Sequence, residues 1–321
     1  MSTADRHAAP RMGGRPPVIV AGPPRSGTTL VVRLLEQLGL FTGVRRDPNL
    51  ESYFFLRRNE WVLRRLGGAW DRPGPARERL QQGTDLEDVC TVLERELGSL
   101  RFAGFSGLAS MVLGRGTRTD ARPWGWKDPR NTFTFDAWAR LFPEARLILL
   151  ERNGVDVAQS LLSREQAARQ DGESAASRRS EPSGDRLLRW SEPLEPYVVH
   201  SHRCGSWEGA FELWEEYAEA GRALYESYAG PKLRVRFETL LAEPLATLEG
   251  LAEFCGLAAA EHELRAVSQV MERDRSSSFL RDPALRERYQ AVKDTPWMRA
   301  LGYDRVPIVE QGVEQGAEGG G

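Results

Sequence analysis

Residues 22–29, Gly-Pro-Pro-Arg-Ser-Gly-Thr-Thr, have the types and spacing of a loop that holds an anion. Gly22 and Gly27 permit turns that other residues resist. Pro23 and Pro24 keep a strand or helix from running through. Arg25 supplies a fixed positive charge, and Ser26, Thr28 and Thr29 supply hydroxyls. Before the loop stands Val18-Ile-Val-Ala21, an apolar run of strand length. After it comes a helical pattern, with Leu30, Val31, Leu34, Leu35 and Leu38 on one face and Gly39 as a natural stop. Strand, glycine-bounded loop and helix bring backbone N–H groups and a positive helix end to one anion. Read instead as a plain surface turn, the stretch would be a dense coincidence of suitable residues.

The spacing Gly22-x4-Gly27 follows the Walker A pattern until Thr28 stands where the lysine belongs. A triphosphate needs that lysine and a magnesium ion. No apolar run ends in an Asp of the Walker B kind; residues 146–150 run into Glu151-Arg152-Asn153. The loop therefore suits a terminal-type phosphate. Phosphoryl transfer without magnesium ligands leaves multiply charged oxygens unneutralised. A sulfuryl group carries less charge, and backbone amides with Lys and Arg can move it.

Other residues add to this chemistry. Lys127 follows Trp124 and Trp126, which predict a short buried strand, and the C-terminal edge of a parallel sheet is where ligands bind. The plainer reading is a surface lysine paired with Asp128. Arg152 lies at the end of the strand predicted at 146–150, and Ser160 lies about two turns into the helix that follows. A guanidinium and a hydroxyl so placed can close on one phosphate. Asn153 can cap that helix. Asp47 and Glu51 are the first carboxylates after the loop. Either is a candidate base, and equally Asp47 or Asn49 can be a helix cap with Glu51 a first-turn dipole partner. His200 and His202 have no carboxylate or cysteine at metal-ligand spacing, so no metal site is predicted.

The positioning elements alternate strand with helix, which predicts a mainly parallel sheet flanked by helices, an α/β class of P-loop type. Residues 53–120 carry apolar residues at helical spacing and lie beside the sheet in this reading. Residues 165–200 are charged and aperiodic and read as an exposed insertion that could act as a lid. Residues 1–16 and 310–321 read as disordered ends, leaving a single domain at 17–309. The 321 residues carry a net charge of −2, which calls for no nucleic acid. No run reaches the ~18 apolar residues of a membrane span, and no apolar leader is visible. Three scattered cysteines suggest a reducing compartment, and three lysines among 44 basic residues suggest a GC-rich genome. The expectation is a soluble, cytoplasmic, bacterial protein.

Pro24-Arg-Ser-Gly-Thr-Thr-Leu30 resembles the 5′-phosphosulfate loop of sulfotransferases that use 3′-phosphoadenosine-5′-phosphosulfate (PAPS). Arg152 and Ser160 resemble that family's 3′-phosphate pair. The run Lys127-Asp-Pro129, with Leu141-Phe-Pro143 and Ile148 to Arg164, is similar to the tyrosylprotein and glycan-type branch and its bacterial relatives. The likeness extends over residues 18–56, 123–164 and 207–257. It implies a sulfotransferase fold, related to nucleotide kinases. It implies that Pro24, Arg25, Ser26, Gly27, Thr28 and Thr29 hold the 5′-phosphosulfate, and that Arg152 and Ser160 hold the 3′-phosphate. Lys127 would stabilise charge on the transferring group, and Glu51 or Asp47 would take the acceptor's proton. The stretch from loop to Glu51 is longer than the family pattern; Asp47 fits the spacing better and Glu51 the local context. The acceptor would be a hydroxyl on a small molecule, glycan or peptide, with PAP as product and no metal. The other readings are a P-loop kinase-like phosphotransferase and a non-catalytic PAP- or PAPS-binding protein.

Overall fold

Four short runs become four strands. In the computed structural model, which describes residues 15–83, 85–106, 122–176, 200–269 and 278–305, Val18–Ala21 forms β1. Helices α1 (Thr28–Gln37), α2 (Tyr53–Arg65), α3 (Gly74–Gln81), α4 (Leu86–Leu97) and α5 (Leu100–Ser106) follow. Then come β2 (Gly125–Lys127), α6 (Asn131–Leu141), β3 (Arg146–Glu151) and α7 (Gly154–Ala176). The last part holds α8 (Trp207–Ser227), β4 (Lys232–Arg236), α9 (Phe237–Ala242), α10 (Pro244–Cys255), α11 (Glu261–Gln269), α12 (Pro283–Val292) and α13 (Pro296–Ala300).

The sheet order is β2-β1-β3-β4, every pair parallel. Alternate side chains serve two different cores, as a pleated strand requires. Ile19, Ala21, Leu147 and Leu149 join one core, and Val18, Val20, Ile148 and Leu150 join the other. With helices on both faces, the central strands are apolar along Val18–Ala21 and Leu147–Leu150, the usual pattern of a buried parallel sheet. The first core is aromatic: Phe55 stacks on Trp126 at 3.7 Å, and Trp124 and Trp138 are fully buried beside them. The second is mainly aliphatic, with helix residues from α1, α9, α10 and α11.

Two sequence expectations change here. The helix beginning at Gly154 does not stop before a loose insertion but continues to Ala176. Glu165 and Ala168 are buried on it, and Glu165 is satisfied by the Ser201 N–H at 3.0 Å, so the charged sequence conceals a packed face. The remainder of that insertion, residues 177–199, lies outside the described residues, as do 1–14, most of the Arg273–Ser278 loop and 306–321. Neither Asp47 nor Asn49 caps a helix, because α2 begins at Tyr53 with Ser52 as its N-cap residue. The three cysteines are buried and free.

Candidate active site

The C-terminal ends of the four described strands face one region, and each delivers a piece of the candidate site. From β1 comes the loop at 22–27. Gly22 has φ +136, and a Cβ there would stand 2.4 Å from the Leu150 carbonyl oxygen. Gly27 has φ +97, and a Cβ would sit 2.3 Å from the Phe237 ring. Arg25 holds a left-handed φ of 69 without being glycine. The loop is thus pressed between β3 and the start of α9, a close approach that only glycine permits. Ser26 inside it is fully buried, and its Oγ has no hydrogen-bond partner among the described residues. Buried hydroxyls are normally satisfied, so this one points to a ligand oxygen. Thr29 Oγ1 donates to the Asn49 carbonyl at 3.1 Å and so ties the helix start to the 47–51 turn.

From β3 come Arg152 and, through α7, Ser160. The two meet at Arg25. Arg25 Nε donates to Ser160 Oγ at 2.9 Å, and Arg152 Nη1 donates to the Arg25 carbonyl at 3.2 Å. Arg152 also lies over the Phe237 ring at 4.4 Å and 3.6 Å from Asp156. Asn153 caps α7, its Oδ1 accepting from the Val155 N–H at 2.9 Å. From β4 comes Glu238, which accepts from the Asn153 N–H at 2.9 Å and from Tyr303 Oη at 3.0 Å. Burial raises its pKa. Glu238 therefore pins the turn that carries Arg152.

From β2 comes Lys127, beside Val20 of β1. It is 2% exposed and does not pair with Asp128. Its Nζ donates to Glu51 Oε1 at 2.9 Å, while Arg130 Nη2 stands 3.4 Å from Glu51 Oε2. Burial opposes the charge on Glu51 most strongly, yet Lys127 and Arg130 together hold its carboxyl below the ordinary value. Asp47 has a different place. It accepts from the Glu51 N–H at 2.7 Å and from Asn49 Nδ2 at 3.1 Å, closing a turn in which Leu50 takes a φ of 62. Burial, then the charge of Glu51, raises its pKa. The structure brings Glu51 to Lys127 and makes Asp47 the brace of the turn between them.

Sequence reasoning passed over Arg130 and what holds it. Asp128 is fully buried and accepts from Asn59 Nδ2 at 2.9 Å and from the Arg130 N–H at 2.9 Å. Its other neighbour is the Arg130 guanidinium at 3.3 Å. Burial pushes Asp128 up to about 7, with Arg130 pulling down and Glu51 pushing further up. Asn59 also donates to Asn131 and accepts from Thr134 and Trp138, so α2 and α6 are locked by polar groups inside an aromatic core. The available signal was Arg130 itself, three residues beyond Lys127 across Pro129. Among the described residues no group of three or more His, Cys, Asp or Glu side chains could hold a metal, and no helix is long and apolar enough to cross a membrane.

The family model described as the Sulfotransferase family matches residues 16–261, most of the chain. Among solved structures, the chain is similar to the sulfotransferase domain from the Synechococcus PCC 7002 olefin synthase, with 18% identity over 96% of this chain and 100% of that one, at a TM-score of 0.44. It is similar too to a sulfotransferase from Alicyclobacillus acidocaldarius, with 17% identity over 91% and 97% of the two chains and a TM-score of 0.44. A sulfotransferase from Mycobacterium tuberculosis H37Rv gives 17% identity over 87% and 77%, at 0.43. No curated protein sequence matches this chain. On the family match, the chain belongs to the sulfotransferase family.

Proposed function

We propose that this protein transfers a sulfuryl group from PAPS to a hydroxyl of an acceptor molecule, by in-line displacement with Glu51 as base. The observation that carries the reading is the adjacency of two devices on neighbouring strand ends. One is a loop holding an unpartnered buried hydroxyl; the other is a buried Lys127–Glu51 pair. When bound, the donor supplies the sulfuryl group and a nucleotide leaving group. Pro24 to Thr29 would hold its 5′-phosphosulfate end, with the Ser26 Oγ finding its missing partner there. Arg152 and Ser160, which converge on Arg25, would hold the 3′-phosphate.

The chain's own residues handle the proton. Glu51 is kept ionised by two cations, so it can accept a proton at a carboxylate oxygen. Protonation removes the charge that engages Lys127. The ammonium is then free to neutralise negative charge building on the bridging oxygen of the leaving group. Asp47 fixes the Glu51 backbone and is a positioning residue in this scheme. The seclusion of the pair from water strengthens each of these interactions.

The test is calorimetric titration with PAP, against ATP plus magnesium. Metal-free PAP binding with little ATP binding is expected, and the reverse would turn the reading to a kinase. Arg152→Ala or Ser160→Ala should each weaken PAP by ~1.5–3 kcal/mol, the range of hydrogen bonds to charged groups. Unchanged PAP affinity in both would remove the 3′-phosphate assignment.

A further inference from the structure

Helix α7 carries a second basic side chain one turn beyond Ser160. Arg164 lies four residues on, on the same helix face and about 6 Å further along the axis. Its guanidinium sits over the Trp70 ring, 4.7 Å from the centroid. Each of the two side chains ends in a buried donor with no hydrogen-bond partner among the described residues, Arg164 Nη2 and Trp70 Nε1. Trp70 is well anchored. Its carbonyl accepts from Tyr217 Oη at 2.9 Å, and the Ala69–Arg72 turn closes around it with mutual backbone hydrogen bonds of 3.0 and 3.1 Å.

Electrostatics link this pair to the base. The positive field of Arg164 reaches Glu51, and the buried Tyr217 hydroxyl lies in the fields of Arg130 and Glu51. Nearby acids do not occupy Arg164. Glu165 is taken by Ser201, Arg169 and His200. Asp71, next to Trp70, gives its carbonyl to Arg203 at 3.2 Å, and among the described residues it makes no ion pair with Arg164.

Among the described residues, the two orphaned donors of this pair define the complement. An indole N–H only donates, and a guanidinium edge matches a planar or tetrahedral oxyanion. The indole face stabilises the guanidinium by cation–π attraction and fixes its plane. We propose that Arg164 and Trp70 form an acceptor subsite that binds an oxyanion substituent on the molecule whose hydroxyl Glu51 activates. The acceptor class is then a hydroxyl compound already carrying a carboxylate, phosphate or sulfate. This deepens the sulfuryl-transfer reading and rests on it.

The experiment uses PAP-saturated full-length protein, so that the loop is filled and cannot bind the probe. Two pairs of probes are titrated calorimetrically: 4-hydroxyphenylacetate against its amide, and glucose 6-phosphate against glucose. The expected result is at least a tenfold preference for the anionic member of one pair, and which pair responds separates carboxylate from phosphate. Arg164→Gln should abolish that preference, Arg164→Lys should keep part of it, and Trp70→Phe should reduce it less. Circular dichroism and the thermal midpoint of each variant report that it is folded. The proposal is overturned if neither pair discriminates, if discrimination survives Arg164→Gln, or if Arg164→Gln weakens PAP tenfold, which would move Arg164 to the donor side. If PAP does not bind the wild type, the sulfuryl-transfer reading fails instead. An Arg164-dependent preference measured in the free protein would then still stand.

Discussion

The loop at residues 22–27 and the charge cluster around Glu51 lie at neighbouring strand ends and are built on opposite principles. The loop is a backbone device, local in sequence and held by exclusion. Leu150 and Phe237 stand where side chains on Gly22 and Gly27 would go. The cluster is a side-chain device assembled across the chain. Glu51 meets Lys127 over 76 positions and Arg130 over 79. The loop cannot take a side chain at Gly22 or Gly27 without a clash. The cluster cannot lose one charge without weakening the compensation of another that stays buried. The proposed site thus has a steric half and an electrostatic half, and substitutions should tell them apart.

The electrostatic half should give the largest effect. Lys127→Ala strands Glu51 with Arg130 alone, and breaking a buried pair from one side costs ~3–5 kcal/mol. Urea unfolding should show that loss, and turnover should fall at least about 100-fold, the scale of losing one positioned charge-stabilising donor. The double change Lys127→Met with Glu51→Leu should restore most of the stability and none of the turnover. Stability that stays low in the double variant would mean that packing, not charge, dominates there. The steric half comes next. Gly22→Ala places a methyl against a backbone oxygen at a positive φ, and about 2–4 kcal/mol of destabilisation is expected. A loss under about 1 kcal/mol would show that the loop gives way easily, and the contrast would collapse.

The two halves also differ in how well they can be read from sequence. Val18–Ala21, the glycines, Arg152 at a strand end and Ser160 two turns later all lie within local patterns, and local patterns survive without coordinates. The cluster does not. Asp47 and Glu51 are chemically alike and four residues apart. What separates them is a turn with Leu50 at a φ of 62, which no propensity announces. Arg130 is placed by partners far off in the chain: Asp128, which Asn59 of another helix also holds, Glu51 and the Leu56 carbonyl. Residues 165–176 went unread as helix for a related reason: the charge on Glu165 signals solvent, while Ser201 receives it inside the fold. Long-range compensation of charge is invisible in a window of ten residues.

A pH series sharpens the electrostatic half further. Asp128 rises from 3.8 to about 7 on folding, so the native state binds more protons than the unfolded chain between those values. Stability contributed by this group is therefore present below pH 3.8 and lost as pH climbs toward 7. Glu51 works in the opposite sense: its lowered pKa gives stability above 4.5 that is lost as acid titrates the folded carboxyl. Asp128→Asn should flatten the unfolding free energy between pH 4 and 7 relative to wild type. An unchanged slope would mean that Asp128 stays ionised against Arg130 throughout.

The smallest effect belongs to Ser26, and its sign matters more than its size. The hydroxyl is buried without a partner among the described residues, which costs the free protein on the order of 1–3 kcal/mol of desolvation. A loop evolved only for stability would not keep it. Ser26→Ala removes that cost and leaves little space behind, so the free protein should unfold at slightly higher urea, by about 1 kcal/mol. The same change should weaken PAP about tenfold, equivalent to ~1.4 kcal/mol, because the donor that awaited a ligand oxygen is gone. Gains in stability with losses in binding are what an anion cradle predicts. A structural turn predicts the reverse, since its hydroxyl would serve the fold. If Ser26→Ala destabilises the protein and leaves PAP affinity alone, the loop is not the cradle. The steric half of the site would then position something other than a phosphate.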